Sequence, residues 1–221
     1  MLLSEAEQIH KNFNEEILAK IKRDMENVKV IKKELVKDSL EKYCYYTLSS
    51  LTEHYNSPDP EVYEWIAEKI DEITSDNIDK IVALEYFGIP IAQLLASRKG
   101  KPLAIIRKRP LAPEDKGVAC SSSCEKGYYY IYGIKEGDSV ILIDSAISTE
   151  ETLIPIIREL ELMNVNISDI VCIAEESYED FKPIFRGSKL RVKSIIKAYL
   201  DGEKPRVEVS YDRGVSFLPI L

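Results

Sequence analysis

The chain has 221 residues, 45% of them hydrophobic, enough for one sizeable core, and 38 acidic against 30 basic side chains leave a net charge of −8. That negative balance excludes broad binding to nucleic acid, whose phosphate backbone selects basic surfaces, so any anion site has to be local. No apolar run reaches the roughly 18 residues needed to span a bilayer, and the charged segment Met1 to Lys20 lacks a signal-peptide layout, so a cytoplasmic protein without membrane contact is expected.

From Ser4 to about Asn27, Ile9, Phe13, Ile17, Leu18 and Ile21 recur at helical spacing, which predicts an amphipathic N-terminal helix whose apolar stripe has to pack on something. Val28 to Leu40 is short and less periodic. Asp59-Pro60 then supplies an N-cap followed by proline at the first helical position, and Val62, Trp65, Ile66 and Ile70 continue a second helix.

From Ile78 onward strands and helices alternate. The runs "KIVALEYF", "KPLAIIRKR", "KGYYYIYG", "DSVILID" and "DIVCIAEE" read as strands; "GIPIAQLLASRKG", ended by Gly100, and "STEETLIPIIRELELMN" read as helices. This order predicts an α/β fold, a central mostly parallel sheet with helices on both faces. Beyond Ser177, "SIIKAYL" and "RVEVSY" read as further strands and Asp212-Arg213-Gly214 as a turn.

Four cysteines (Cys44, Cys120, Cys124, Cys172) are too few for a secreted disulfide framework. Cys120 and Cys124 are either loop thiols or a loop disulfide. With His10 and His54 the only histidines, a zinc site lacks ligands.

In parallel sheets, chemistry gathers where loops leave the carboxyl ends of the strands and helix N-termini present free amides. Two such loops stand out, Glu85 to Gly88 and Asp144 to Thr152. In the second, Asp144 is the first polar residue after the buried Val140-Ile141-Leu142-Ile143, and Ser148 and Thr149 precede a helix. Ser148-Thr149-Glu150-Glu151 also fits the S-x-x-E capping box, in which Ser148 and Glu151 satisfy the helix's own donors and leave less for an anion.

"VILIDSAISTEETL" resembles the phosphoribosyl pyrophosphate (PRPP) motif of type I phosphoribosyltransferases. "ALEYFGIPIAQLLASRKGKPLAIIRKR" is similar to the pyrophosphate loop, helix and basic strand of their purine members, and "KGYYYIYGIKEGDSVILID" to the hairpin returning from their flexible loop. "VKVIKKELVK" and "PDPEVYEWIAEKI" resemble the front of archaeal 6-oxopurine phosphoribosyltransferases. The resemblance implies a phosphoribosyltransferase domain over residues 28–221, with its core at about 78–176, a small hood from about 28–58 and 177–221, and residues 1–27 as a helical extension.

It also implies transfer of ribose 5-phosphate from PRPP to a purine, releasing pyrophosphate with Mg2+ on it. Asp144, Ser145, Ala146, Ile147, Ser148, Thr149, Glu150, Glu151 and Thr152 would form the PRPP loop, with Thr149 to Thr152 cradling the 5-phosphate. Glu85, Tyr86, Arg107, Lys108 and Arg109 would face the pyrophosphate, Asp144 and Lys108 would be catalytic, and Pro110 to Lys126 would form a lid. The base expected is adenine, giving AMP, with hypoxanthine or guanine, or a silent nucleotide-binding regulator, as the alternatives. The base-binding hood falls at Lys197 to Leu200 and after Val28, and a homodimer is expected.

Three positions depart from the family pattern. Ser145 stands where a second acid is usual, Glu150-Glu151 replaces a glycine pair, and Phe87 replaces a basic residue. Two carboxylates aimed into the loop would repel a phosphate by roughly 3 kcal/mol per charge pair at about 5 Å and a dielectric near 20. A helix terminus offers only about 0.3 to 2 kcal/mol. The glutamates are therefore expected to point outward.

Overall fold

A computed structural model describes residues 5–37, 40–121, 126–147, 152–177, 192–201 and 204–209. The N-terminal helix α1 spans Glu5–Glu26 and is followed by a hairpin of β1, Lys29–Lys37, and β2, Leu40–Leu48, which forms a separate two-stranded sheet. Helix α2, Pro60–Ile73, begins as the sequence predicts: Asp59 is its N-cap, accepts a hydrogen bond from Glu61 N at 3.0 Å, and is followed by proline.

The remaining elements are β3, Lys80–Leu84; α3, Gly88–Lys99; β4, Leu103–Arg107; β5, Val118–Ser121; β6, Lys126–Ile131; β7, Ser139–Ile147; α4, Leu153–Leu162; β8, Asn166–Ser177; β9, Val192–Asp201; and β10, Lys204–Val209. They build an eight-stranded sheet in the order β10-β9-β8-β7-β3-β4-β6-β5. The strands from β9 to β4 run parallel, and β10, β6 and β5 are antiparallel at the flanks.

Alternation along the central strands fills two cores. Ile81 and Ala83 of β3, with Ile141 and Ile143 of β7, pack with α1, α2 and α3. Their neighbours Val82, Leu84, Val140 and Leu142 pack with α4 on the opposite face. Helices thus cover both faces, as expected. In α1, Ile17, Ile21 and Met25 are buried in the first core, whereas Ile9 and Phe13 are 64% and 43% exposed. The apolar stripe is therefore used at its carboxyl half only.

Several local expectations differ. The strand expected through Phe87 ends at Leu84, because residues 85–87 turn into α3. The strand expected through Arg109 ends at Arg107, where the Lys108 N–H leaves the ladder and donates to Glu85 Oε2 at 2.7 Å. Val118–Ser121, within the expected lid, is a strand paired with β6; the stretch after Val28, to which the sequence reading gave no element, is a hairpin.

The largest difference lies around β7. This strand continues through Ile147 because the twelve-residue β8 gives it a longer partner, pairing Asp144 with Cys172, Ala146 with Ala174 and Ile147 with Glu175. Asp144, Ser145, Ala146 and Ile147 are strand residues, not loop residues.

Helix α4 starts at Leu153 with Thr152 at the N-cap position, so the Ser148 capping box does not open it. Pro155 explains the late start. It lacks an N–H and would clash with the carbonyl four residues back inside a helix, but is tolerated in a first turn. Ser148 to Glu151, Cys124 and the Asp212-Arg213-Gly214 turn lie outside the described residues.

Candidate active site

The carboxyl ends of β3, β4, β7 and β8 lie side by side, so residues distant in sequence meet at one edge of the sheet. Gly88 sets the tightest approach: a Cβ there would lie 2.9 Å from Ile143 O and 3.1 Å from Asp144 Cα. The absence of a side chain lets the start of α3 close against the end of β7. The Glu85–Phe87 turn and Asp144 are brought together by this contact.

Glu85 is a brace in that turn. Its N–H donates to Ile106 O at 3.0 Å and its carboxylate accepts from Lys108 N at 2.7 Å, tying the end of β3 to the end of β4. The Glu85–Tyr86 peptide bond is cis. Lys108 Nζ lies 5.4 Å from the ring centroid of Tyr86 and 5.9 Å from that of Tyr129, a pair of cation–π contacts that hold the ammonium at the sheet end.

Arg107 Nε is buried without a hydrogen-bond partner among the described residues. A buried donor left unsatisfied costs about 1 to 3 kcal/mol, which an anionic acceptor would remove. Arg109 follows at the exposed bend before Pro110. The three basic residues therefore occupy one strand end beside the Glu85–Phe87 turn.

The segment after Pro110 is fastened by Asp115, whose Oδ2 accepts from Leu111 N at 3.0 Å, from Ala112 N at 2.7 Å and from the Tyr132 hydroxyl. The Tyr132 hydroxyl first, then these amides, hold the Asp115 carboxyl below its ordinary range.

Asp144 is half-buried and accepts from Ser145 N at 2.7 Å. Ser145 is buried at 4% exposure. Beneath them lies Cys172, fully buried; burial, then the carboxylates of Glu175, Asp144 and Glu176, push its thiol well up, so it is no nucleophile. Thr152 stands at the N-cap position of α4, so Ile147 and Thr152 flank positions 148–151.

One segment of the expected hood had none of its residues singled out from the sequence. Ser49 to Tyr55 turns over this edge, and its His54 ring stacks on Phe87 at 6.1 Å with the planes 16° apart. The Tyr63 hydroxyl donates to Leu51 O at 2.7 Å, so His54 Nε2, 2.9 Å away, must be the donor to Tyr63. Burial lowers the His54 pKa below its ordinary value. No local pattern announces this turn; the polar run Ser49-Ser50-Leu51-Thr52-Glu53 reads as an ordinary connection.

Of the expected hood residues, Lys197 lies in β9 with Nζ 3.8 Å from Glu175 Oε2, and Tyr199 faces β10, its hydroxyl 3.4 Å from Glu208 Oε1.

Residues 54–200 match the family of the phosphoribosyl transferase domain. The chain belongs to the phosphoribosyltransferase family. It is 37% identical over 158 residues to a hypoxanthine/guanine phosphoribosyltransferase of Methanohalobium evestigatum, covering 71% of this chain and 82% of that protein. It is 36% identical over 129 residues to the protein of the same name in Methanosarcina mazei, covering 58% and 68%. An adenine phosphoribosyltransferase structure from Thermoanaerobacter pseudethanolicus shares the fold, with a TM-score of 0.57, 17% identity, and coverage of 80% of this chain and 98% of that one. The phosphoribosyltransferase fold expected from the sequence is the one observed.

Proposed function

We propose that this family member transfers the ribose 5-phosphate of PRPP to a 6-oxopurine, hypoxanthine or guanine, releasing pyrophosphate and a nucleoside monophosphate. The observation that carries the reading is the apposition through Gly88 of the Glu85–Phe87 turn and Asp144, with the basic end of β4 beside it. The base follows the hypoxanthine/guanine enzymes that match at 36–37% identity. Adenine, expected from the sequence, has only fold-level likeness at 17% identity behind it.

In this reading Asp144 grips the ribose hydroxyls and stabilises positive charge developing on the sugar. Arg107, Lys108 and Arg109 neutralise the departing pyrophosphate, the cationic clamp that phosphoryl leaving groups need. Ser148 to Thr152 receive the 5-phosphate, with Ser145, Ala146 and Ile147 carrying the strand into that loop. The Pro110 to Lys126 segment excludes water.

Among the described residues no group of three or more His, Cys, Asp or Glu side chains is arranged to hold a metal. That suits Mg2+, which binds through one or two carboxylates, substrate phosphates and water. Asp144 and Glu85, each accepting one backbone N–H, are the carboxylates of this sheet edge that would help hold it. When bound, the ion adds positive charge to the leaving pyrophosphate.

The protein acts in the cytoplasm as a homodimer, the second copy covering the exposed Ile9 and Phe13 of α1. Among the described residues no helix is long and apolar enough to cross a membrane.

The test is incubation with PRPP, Mg2+ and, separately, hypoxanthine, guanine, xanthine, adenine and orotate. IMP or GMP is expected. No nucleotide with any base at high enzyme concentration would leave a nucleotide-binding regulator, the reading in which Glu150-Glu151 has ended turnover. Light scattering of the full chain, and of a form lacking residues 1–26, tests the dimer.

A further inference from the structure

The run Tyr128-Tyr129-Tyr130-Ile131-Tyr132 covers the end of β6 and the residue after it, and the alternation of a strand sorts its side chains. Tyr129 and Ile131 pack in the core shared with α4, Tyr129 at 6% exposure. Tyr128, Tyr130 and Tyr132 are left to the other face, and the segment that follows Pro110 comes down on them. Gly117 allows the approach: a Cβ there would lie 2.8 Å from Tyr128 Cβ and 3.0 Å from Tyr130 Cε1. The Tyr132 hydroxyl accepts from Leu111 N at 2.8 Å and donates to Asp115 Oδ2, which itself accepts from Leu111 N at 3.0 Å and Ala112 N at 2.7 Å. Leu111, Asp115 and Tyr132 thus close a ring of hydrogen bonds.

This clasp is referred to the strand that carries the basic residues, because β6 pairs Tyr130 with Arg107 and Ile131 with Ile106 of β4. On the other side of the bend, Lys108 N donates to Glu85 Oε2 at 2.7 Å. Arg109-Pro110 is therefore pinned at both ends, by Glu85 before it and by Tyr132 and Asp115 after it. The two residues between have little backbone freedom of their own: proline fixes its φ at about −65° and confines the residue before it to extended conformations. The exposed Arg109 side chain thus leaves a backbone held on both sides.

We propose that Tyr132 is a positioning residue: clasped to Asp115, it fixes the Arg109-Pro110 bend so that the Arg109 guanidinium meets the pyrophosphate of PRPP. The proposal rests on the transferase reading above and deepens it, giving a residue outside the basic strand end the task of aiming one of its cations. A guanidinium grips phosphate oxygens through two parallel N–H bonds, a geometry that tolerates little rotation. A bend released at Leu111 therefore loses affinity without losing charge. Ligands that carry a pyrophosphate feel the loss; a nucleoside monophosphate, which keeps the 5-phosphate and lacks the pyrophosphate, does not.

The test is calorimetric titration of PRPP with Mg2+, and separately of IMP, into wild type, Tyr132→Phe, Asp115→Ala, Arg109→Ala and the double variant Tyr132→Phe with Arg109→Ala. Phenylalanine keeps the ring and removes only the hydroxyl. Tyr132→Phe is expected to weaken PRPP binding about tenfold and to leave IMP affinity within about twofold. Asp115→Ala opens the clasp from the other side and should do the same, and it takes the place of Tyr132→Phe if that variant does not fold. Because Tyr132 acts through Arg109, the double variant should bind PRPP about as tightly as Arg109→Ala alone, a coupling that a general loss of stability would not produce.

Unchanged PRPP affinity in either clasp variant, an equal loss for PRPP and IMP, or additive losses in the double variant overturns the proposal. The expected binding pattern with no nucleotide formed from PRPP and any purine would refute the transferase reading alone. Binding of PRPP but not IMP would do so too, and the double variant would then decide the clasp. A wild type that binds no PRPP would refute both.

Discussion

Replacing Gly88 by alanine tests the contact that assembles the site. Two effects oppose each other. At an open helical position alanine is favoured over glycine by up to about 1 kcal/mol. Here, however, the added methyl would sit 2.9 Å from Ile143 O and 3.1 Å from Asp144 Cα, both backbone atoms that cannot rotate away. Forcing extra volume into such a contact costs about 1 to 3 kcal/mol, so the clash wins and a net loss of about 1 to 2 kcal/mol is expected. Relief requires β7 and α3 to move apart, which carries Asp144 away from the Glu85–Phe87 turn. A misplacement of about 1 Å at a reacting centre costs about a hundredfold in rate. Urea denaturation and steady-state turnover of Gly88→Ala read the two consequences separately. A variant as stable as wild type and equally active would refute the close approach as the element that aligns the two loops.

Asp144→Asn should lower turnover more than tenfold, equivalent to about 1.4 kcal/mol of lost transition-state stabilisation; an unchanged rate in a folded variant would leave Asp144 a structural residue of β7. Glu53, raised from 4.5 to about 8, takes up protons in the folded state that the unfolded chain has released, so its contribution to stability is full below about pH 4.5 and is lost as pH rises through about 8. Urea midpoints should therefore show Glu53→Gln gaining on wild type between pH 6 and 9, by on the order of a few kcal/mol; a parallel pH dependence would refute this. Ile21→Ala should cost about 2 to 5 kcal/mol because Ile21 is fully buried, while Ile9→Ala, at a 64% exposed position, should stay within about 0.5 kcal/mol in the monomer. Glu150→Gly with Glu151→Gly should change AMP affinity less than tenfold by calorimetry, since the carboxylates are expected to face away; a larger gain would show that they point inward.

What the sequence determined by itself was everything written at short range. Alternating Ile81 to Leu84 and Val140 to Ile143 specify strands buried on both faces, Asp59-Pro60 starts α2, and Gly100, at φ 61°, ends α3 where only a residue tolerant of the left-handed region fits easily. The positions of Asp144 and Arg107 were legible for the same reason, each being the first polar group after an apolar run. Where an element ends was decided by its neighbours. β7 runs on to Ile147 because β8 supplies backbone partners that no property of Ser145 or Ala146 announces, and Val118–Ser121 is a strand because β6 pairs with it. The setting of Glu53 was likewise settled only in three dimensions. Its neighbours Asp144 and Glu176 come from strands β7 and β8, reached through the whole sheet order, and burial among them turns an ordinary surface glutamate into an acid that titrates near 8. Periodicity records which face of its own element a residue occupies; desolvation and charge depend on what the rest of the chain brings against that face.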